Sequence, residues 1–229
     1  MKNSYEMAVI GRIRTDFGEK FGIPRQAGLV ESLKAELVFE PAYRNPDALR
    51  GIEGFSHLWL IWAFSENAEK GWNPTVRPPR LGGNARLGVF ATRSPFRPNP
   101  VGLSCVRLLG VRQDEKLGPV LELAGADLMD GTPIFDVKPY VPYADCFPEA
   151  VGGFAEEKAE EKLQVVLPEG VTAFPEEKRE ALRSVLAHDP RPAYQRDPER
   201  VYHLLFAGFG VRFSVDGDVL TVLSIEPES

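Results

Sequence analysis

The sequence is short of the residues that usually announce chemistry. Among its 229 residues are two cysteines and three histidines. Cys105 and Cys146 stand far apart, and neither belongs to a Cys-x-x-Cys pair, which argues against both a disulfide scaffold and a zinc centre. No apolar run approaches the ~20 residues of a membrane helix; the longest candidate, Leu58 to Phe64, is strand-sized. The first residues, Met1 to Glu6, lack the apolar core of a secretion signal, so the chain reads as cytoplasmic, with neither a membrane nor a metal as partner. No Gly-x-Gly-x-x-Gly follows a strand, and Gly82-Gly83 does not supply one, so a nucleotide cofactor is not held in a doubly wound crevice. Internal repeats are also missing.

What is there is arginine, concentrated in one stretch. The whole chain has a formal charge of −6. Yet residues 1–112 hold 16 Lys and Arg against 10 acids, while residues 113–229 hold 11 against 23. From Gly71 to Arg112 there is no acid, and every cation is Arg: 77, 80, 86, 93, 97, 107 and 112. A guanidinium binds phosphate bidentately and stacks on bases, which an ammonium does not. A solvated face normally mixes signs. The pattern therefore points to an anionic partner on one face of an acidic protein.

The hydrophobic pattern predicts many short strands broken by Pro and Gly. Met7 to Arg14, Leu58 to Phe64 (apolar on both faces, hence central), Leu87 to Thr92, Val101 to Val111, Val120 to Ala124 and Ile134 to Val137 read as strands. Asn45 to Gly51 reads as one helical turn, with Asn as cap, Pro opening it and Gly closing it. Pro175 to His188 reads as an amphipathic helix with Ala181, Leu182, Val185 and Leu186 on its apolar face. Val201 to Phe206, Phe209 to Val215 and Val219 to Ile225 read as antiparallel strands, the last two turned by Asp216-Gly217-Asp218. The fold class is mainly β. An N-terminal antiparallel β-barrel domain with short helices spans residues 1–150, a linker covers 151–172 and a small C-terminal α+β domain covers 173–229. The last is too small to be stable without docking or a partner subunit.

Three stiff loops carry the polar groups. Arg77-Pro78-Pro79-Arg80-Leu81-Gly82-Gly83-Asn84 holds two guanidiniums on a proline pair, then loosens. Thr92-Arg93-Ser94-Pro95-Phe96-Arg97-Pro98-Asn99-Pro100 presents Arg93, Arg97 and Asn99 between prolines. Phe21 to Gly28 exposes Arg25 and Gln26. Further on, Asp127-Leu128-Met129-Asp130 sets two carboxylates on a tight loop, able to grip a ribose or a cation and equally open to ordinary turn chemistry. Asp136, Lys138 and Tyr140 alternate along one strand face, as an acid/base set or a surface ion pair.

These blocks, with Gly88 to Pro100, Asp127 to Tyr140 and Asp189-Pro190-Arg191-Pro192-Ala193-Tyr194, resemble the TsaA-like family. Within it they look like the tRNA methyltransferases that act on threonylcarbamoyladenosine beside the anticodon. The resemblance implies a β-barrel enzyme that uses S-adenosylmethionine and works as a homodimer. Carried over position by position, it implies a cofactor site at Pro24, Arg25, Gln26, His57, Leu58, Arg93, Leu103 and Asp127, Leu128, Met129 and Asp130. Arg77, Arg80, Arg86 and Arg97 would then meet the anticodon loop of the tRNA, with Asn84 and Asn99 as polar contacts. The accepting nitrogen bears a carbonyl and must lose a proton, for which Asp136 or Tyr140 would be the base. Two other readings stay open: an RNA-binding barrel without chemistry, and a methyltransferase of small molecules.

Overall fold

A computed structural model describes residues 4–78, 81, 85–155, 162–168, 173–192, 195 and 197–228. The apolar run forms a seven-residue strand, His57–Ala63. In chain order the elements are β1 (Gly11–Arg14), β2 (Lys34–Phe39), β3 (His57–Ala63), β4 (Thr75–Val76), β5 (Leu87–Gly88), β6 (Val101–Asp114), β7 (Gly118–Ala124), β8 (Pro133–Pro139), α1 (Pro142–Asp145), β9 (Gln164–Val166), α2 (Glu176–Ala187), β10 (Tyr202–Phe206), β11 (Phe209–Asp216) and β12 (Val219–Pro227). Strand β3 lies between β6 and β8, as a central strand should. The ladders run β1-β2-β7-β6-β3-β8 and return to β1, closing a barrel that leaves no free edge.

Alternation decides what fills the barrel. Along β6, Gly102, Ser104, Val106 and Leu108 turn inward, while Leu103 and Arg107 face out. Ile13, Leu37, Leu58, Leu60, Leu121, Leu123 and Ile134 complete the interior, each with no exposure. Each contributes roughly 1.5–3 kcal/mol of burial.

The second core lies in a four-stranded sheet, β10-β11-β12-β9, covered by α2. Ala181, Leu182, Val185 and Leu186 are buried there, on the face the periodicity predicts. This core also takes in Phe17, Val30 and Leu33 from the excursion between β1 and β2. Phe17 packs edge-on to Phe206 at 5.4 Å, and Lys178 binds Asp16 at 2.6 Å. Gly22 sits at φ +87°, and a Cβ on it would fall 2.3 Å from Leu204 Cδ1. The C-terminal unit therefore grips the root of the loop that carries Pro24, Arg25 and Gln26.

Several expectations need correction. The first strand starts at Gly11, because β2 ends opposite it at Phe39 and the chain then enters a tight turn at Pro41–Tyr43. Leu87 to Thr92 is a strand only over Leu87–Gly88. Thr92 bonds back to the Val89 carbonyl through both its N–H and its hydroxyl and bends the rest into a 3-10 turn. Strand β2 was not anticipated, although Lys-Ala-Glu-Leu-Val-Phe alternates. The proposed linker over 151–172 contains β9, which pairs in parallel with β12. The charged run from Glu156 falls at residues 156–161 outside the described residues. Among the described residues no helix is long and apolar enough to cross a membrane.

Candidate functional site

One end of the barrel opens into a cleft of about 190 Å³ lined by Lys20, Ile23, Trp62, Phe64, Asp127 and Met129, among others. Its polar centre is Asp127. Gly102 allows this arrangement: Trp62 lies so close that a Cβ there would fall 2.2 Å from the indole. From that position Trp62 Nε1–H donates to Ser104 Oγ at 3.0 Å, and the Ser104 hydroxyl donates to Asp127 Oδ1 at 2.6 Å. Burial pushes the Asp127 carboxyl above the usual carboxylate range. The bonds from Ser104, from its own N–H and from the Ala27 N–H oppose that rise, as does the Arg93 guanidinium. Arg93 Nη1–H in turn donates to Gln26 Oε1, and Gln26 Nε2–H donates to the Arg25 carbonyl. Three loops of distant sequence thus meet around one carboxylate.

The rest of the acidic loop is braced. Asp130 Oδ1 accepts from Thr15 N–H at 3.0 Å, and Asp130 N–H donates to the Phe17 carbonyl at 2.8 Å. Leu128 is buried, and its carbonyl accepts from Thr15 Oγ1.

The remaining expected cofactor residues lie elsewhere on the same chain. Leu58 is wholly buried in the barrel. Leu103 is 53% exposed on the outer face, opposite Ile61. His57 is paired with Arg107, its Nδ1 2.9 Å from Ser56 Oγ. Tyr140 packs beside His57 and Trp59. Burial and the neighbouring thiols Cys146 and Cys105, with Asp145, hold the Tyr140 phenol above its ordinary range. Asp136 pairs with Lys138 at 3.0 Å on the same outer face. So Asp136 and Tyr140 do not share the cleft with Asp127 within one chain. Among the described residues no cluster of His, Cys, Asp and Glu could hold a metal ion.

Two family models match the chain: the tRNA-methyltransferase O N-terminal domain over residues 12–146, and the TrmO C-terminal domain over residues 156–228. The chain is 44% identical over 234 aligned residues to the tRNA (adenine(37)-N6)-methyltransferase of Escherichia coli K12, covering 98% of this chain and 99% of the other. It belongs to the tRNA-methyltransferase O family. A Pseudomonas aeruginosa relative, 42% identical over 87% of each chain, is named for S-adenosylmethionine-dependent methyl transfer. A solved TrmO from Pseudomonas aeruginosa superposes with a TM-score of 0.78 at 34% identity, covering 97% of this chain and 99% of that one. The family's N-terminal model takes in the barrel and the cleft; its C-terminal model takes in β9 to β12 and α2.

The arginines divide into braces and exposed groups. Arg112 is claimed by Glu36, Asp114 and Glu122, all from outside the acid-free stretch. Arg97 donates to the carbonyls of Thr92 and Ser94, holding its own loop. Arg77, Arg86, Arg93 and Asn99 are exposed. Arg80 and Asn84 lie outside the described residues. The sequence reading missed Ser104 and Trp62. The available signal was a hydroxyl at an inward position of an alternating strand, which calls for a buried partner.

Proposed function

We propose that this protein methylates N6 of adenine 37 in tRNA, on the threonylcarbamoyl-modified base, with S-adenosylmethionine as donor. The observation that carries this reading is the partly buried Asp127 carboxylate in the cleft, bonded by the Ala27 N–H and within reach of the charge of Arg93, which itself donates to Gln26. A guanidinium suits the donor's carboxylate, the apolar walls Ile23, Phe64 and Met129 suit its adenine, and Asp127 suits a hydroxyl or a positive charge. The donor supplies a methyl group on a positively charged sulfur. In the transfer a bond from nitrogen to that methyl forms as the carbon–sulfur bond breaks, and the sulfur leaves neutral.

The accepting nitrogen bears a carbonyl and is a weak nucleophile until its proton is taken. Within one chain the cleft holds two carboxylates, Asp127 and Glu66, and Asp127, fixed by Ser104, is the one we assign to take it. Asp136 and Tyr140, on the outer face, act as acceptor only if a second copy brings them to the cleft. The same division of His57 and Leu103 from Asp127 supports a homodimer, which sedimentation tests. The reading also places the protein in the cytoplasm with its tRNA.

The deciding experiment incubates the protein with methyl-labelled donor and tRNA carrying threonylcarbamoyladenosine, then digests the tRNA to nucleosides for mass spectrometry. Label on N6 of the modified nucleoside supports the proposal. Label elsewhere in the tRNA, or none, overturns it.

A further inference from the structure

The hairpin of β4 and β5 presents two features that the cleft does not use. Its register pairs Thr75 with Gly88 and Val76 with Leu87; Arg86 Nη1–H donates to Thr75 Oγ1 at 3.4 Å, and the ladder ends before Arg77 and Arg86. Both are exposed. Two guanidiniums at the end of one short ribbon suit a phosphate. At the other end of the hairpin stand two large rings. Trp72 is 54% exposed and Phe90 is 75% exposed.

The backbone around them is fixed. Val89 N–H donates to the Pro74 carbonyl at 3.0 Å, and Asn73 N–H donates to the Phe96 carbonyl at 3.1 Å. Val89 is buried to 1% exposure, which turns its neighbour Phe90 outward. None of the ring pairs or cation–ring contacts among the described residues involves Trp72 or Phe90. A rigid mount, two open π-faces and guanidiniums on the same ribbon are the components of a single-strand nucleic-acid platform. Acids are absent from Gly71 to Arg112, so the surface complements a polyanion.

We propose that Trp72 and Phe90 form a stacking platform for unpaired bases of the tRNA anticodon loop, while Arg77 and Arg86 hold its phosphates. This rests on the reading of the protein as a tRNA methyltransferase and names the residues that recognise the single-stranded part of that substrate. Stacking and charge have separable signatures. Loss of a phosphate contact lowers the dependence of affinity on salt, whereas loss of a ring lowers affinity at every salt concentration alike.

The test measures binding of an anticodon stem-loop RNA, and of a fully paired duplex of equal length, across a salt series. Trp72→Ala and Phe90→Ala are expected to weaken stem-loop binding by about fivefold or more each, with the salt slope unchanged. Trp72→Phe and Phe90→Tyr should keep most of it. Arg86→Ala should flatten the slope. Duplex binding should be indifferent to the rings. Unchanged stem-loop affinity in both alanine variants overturns the proposal, as does equal loss on duplex. A shift in oligomeric state with RNA binding intact also overturns it and assigns the rings to a protein contact. If the wild type methylates tRNA and the alanine variants keep its KM, this inference fails alone; if the wild type neither binds the stem-loop nor methylates it, the function proposed above fails.

Discussion

The Ser104 hydroxyl lies 2.6 Å from Asp127 Oδ1, inside a barrel where Ser104 itself is only 2% exposed. A hydroxyl so placed has one proton to give, and it gives it to the carboxylate. Trp62 fills the acceptor side of the same oxygen. The two donors run in one direction and hold Asp127 as an acceptor, facing a cleft shared with Lys20 and Glu66.

Asp127→Asn keeps the shape and removes the base. If the carboxylate takes the proton, kcat falls by about 10²–10⁴-fold and the acid limb of the pH–rate profile disappears. Ser104→Ala removes a bond that favours the charged form, so the acid limb moves to higher pH. Single-turnover rates across pH check both, with Glu66→Gln as the control for the other carboxylate in the cleft. A profile of Asp127→Asn parallel to wild type would assign the proton elsewhere.

The same substitution has an opposite effect on stability. Burial holds the Asp127 pKa above its unfolded value, so the folded state prefers the protonated group. Its contribution is present below the unfolded pKa and is lost as pH rises through the folded pKa. Asparagine never ionises, and its Oδ1 can still accept the Ser104 bond, though more weakly than a carboxylate does. Asp127→Asn is expected to raise Tm at pH 8, and the gain should shrink as pH falls toward the ordinary carboxylate range. Melting curves at pH 8 and in that lower range decide it.

Gly102→Ala tests the support beneath this arrangement. The new methyl would meet the Trp62 ring, which also packs against Phe64 at 4.3 Å. The indole has to move and takes its N–H away from Ser104. A loss of about 1–3 kcal/mol by denaturant titration is expected, with a weaker donor affinity by calorimetry. Stability loss with donor affinity intact would detach Trp62 from the site.

The barrel was legible because its strands alternate or run apolar, and because the turns between them spend Pro and Gly. Leu58 to Phe64 announces a central strand by composition alone. What sequence could not convey was facing. Leu103 and Ser104 are neighbours in the chain and stand on opposite sides of a sheet, so a continuous run of residues separates into a core-side support and an outer surface. Arg97 and Arg112 look like Arg77 in a string of letters; only the folded contacts show that Arg97 is spent on the carbonyls of its own loop and Arg112 on Glu36, Asp114 and Glu122. Parallel pairing of β9 with β12 was invisible for the same reason, as three residues carry too little pattern to reveal a partner more than fifty positions away.

The hold of the C-terminal unit on the loop before β2 gives the last prediction. Lys178 and Asp16 are each largely shielded, and Ala207 N–H donates to the Asp16 carbonyl at 2.8 Å. Lys178→Met leaves the Asp16 carboxylate without its cation and is expected to cost about 1–3 kcal/mol. Gly22→Ala forces a side chain into the left-handed region and onto Leu204, with a similar cost. Neither residue lines the cleft, yet the segment they anchor carries Arg25 and Gln26. Both variants should raise KM for the donor more than they lower kcat, because a loosened loop weakens binding before it disturbs the carboxylate held by Ser104. Hydrogen exchange should show the amides of residues 18–28 opening faster in both. Unchanged exchange there, or a loss confined to kcat, would mean that the C-terminal unit stabilises the chain without shaping the site.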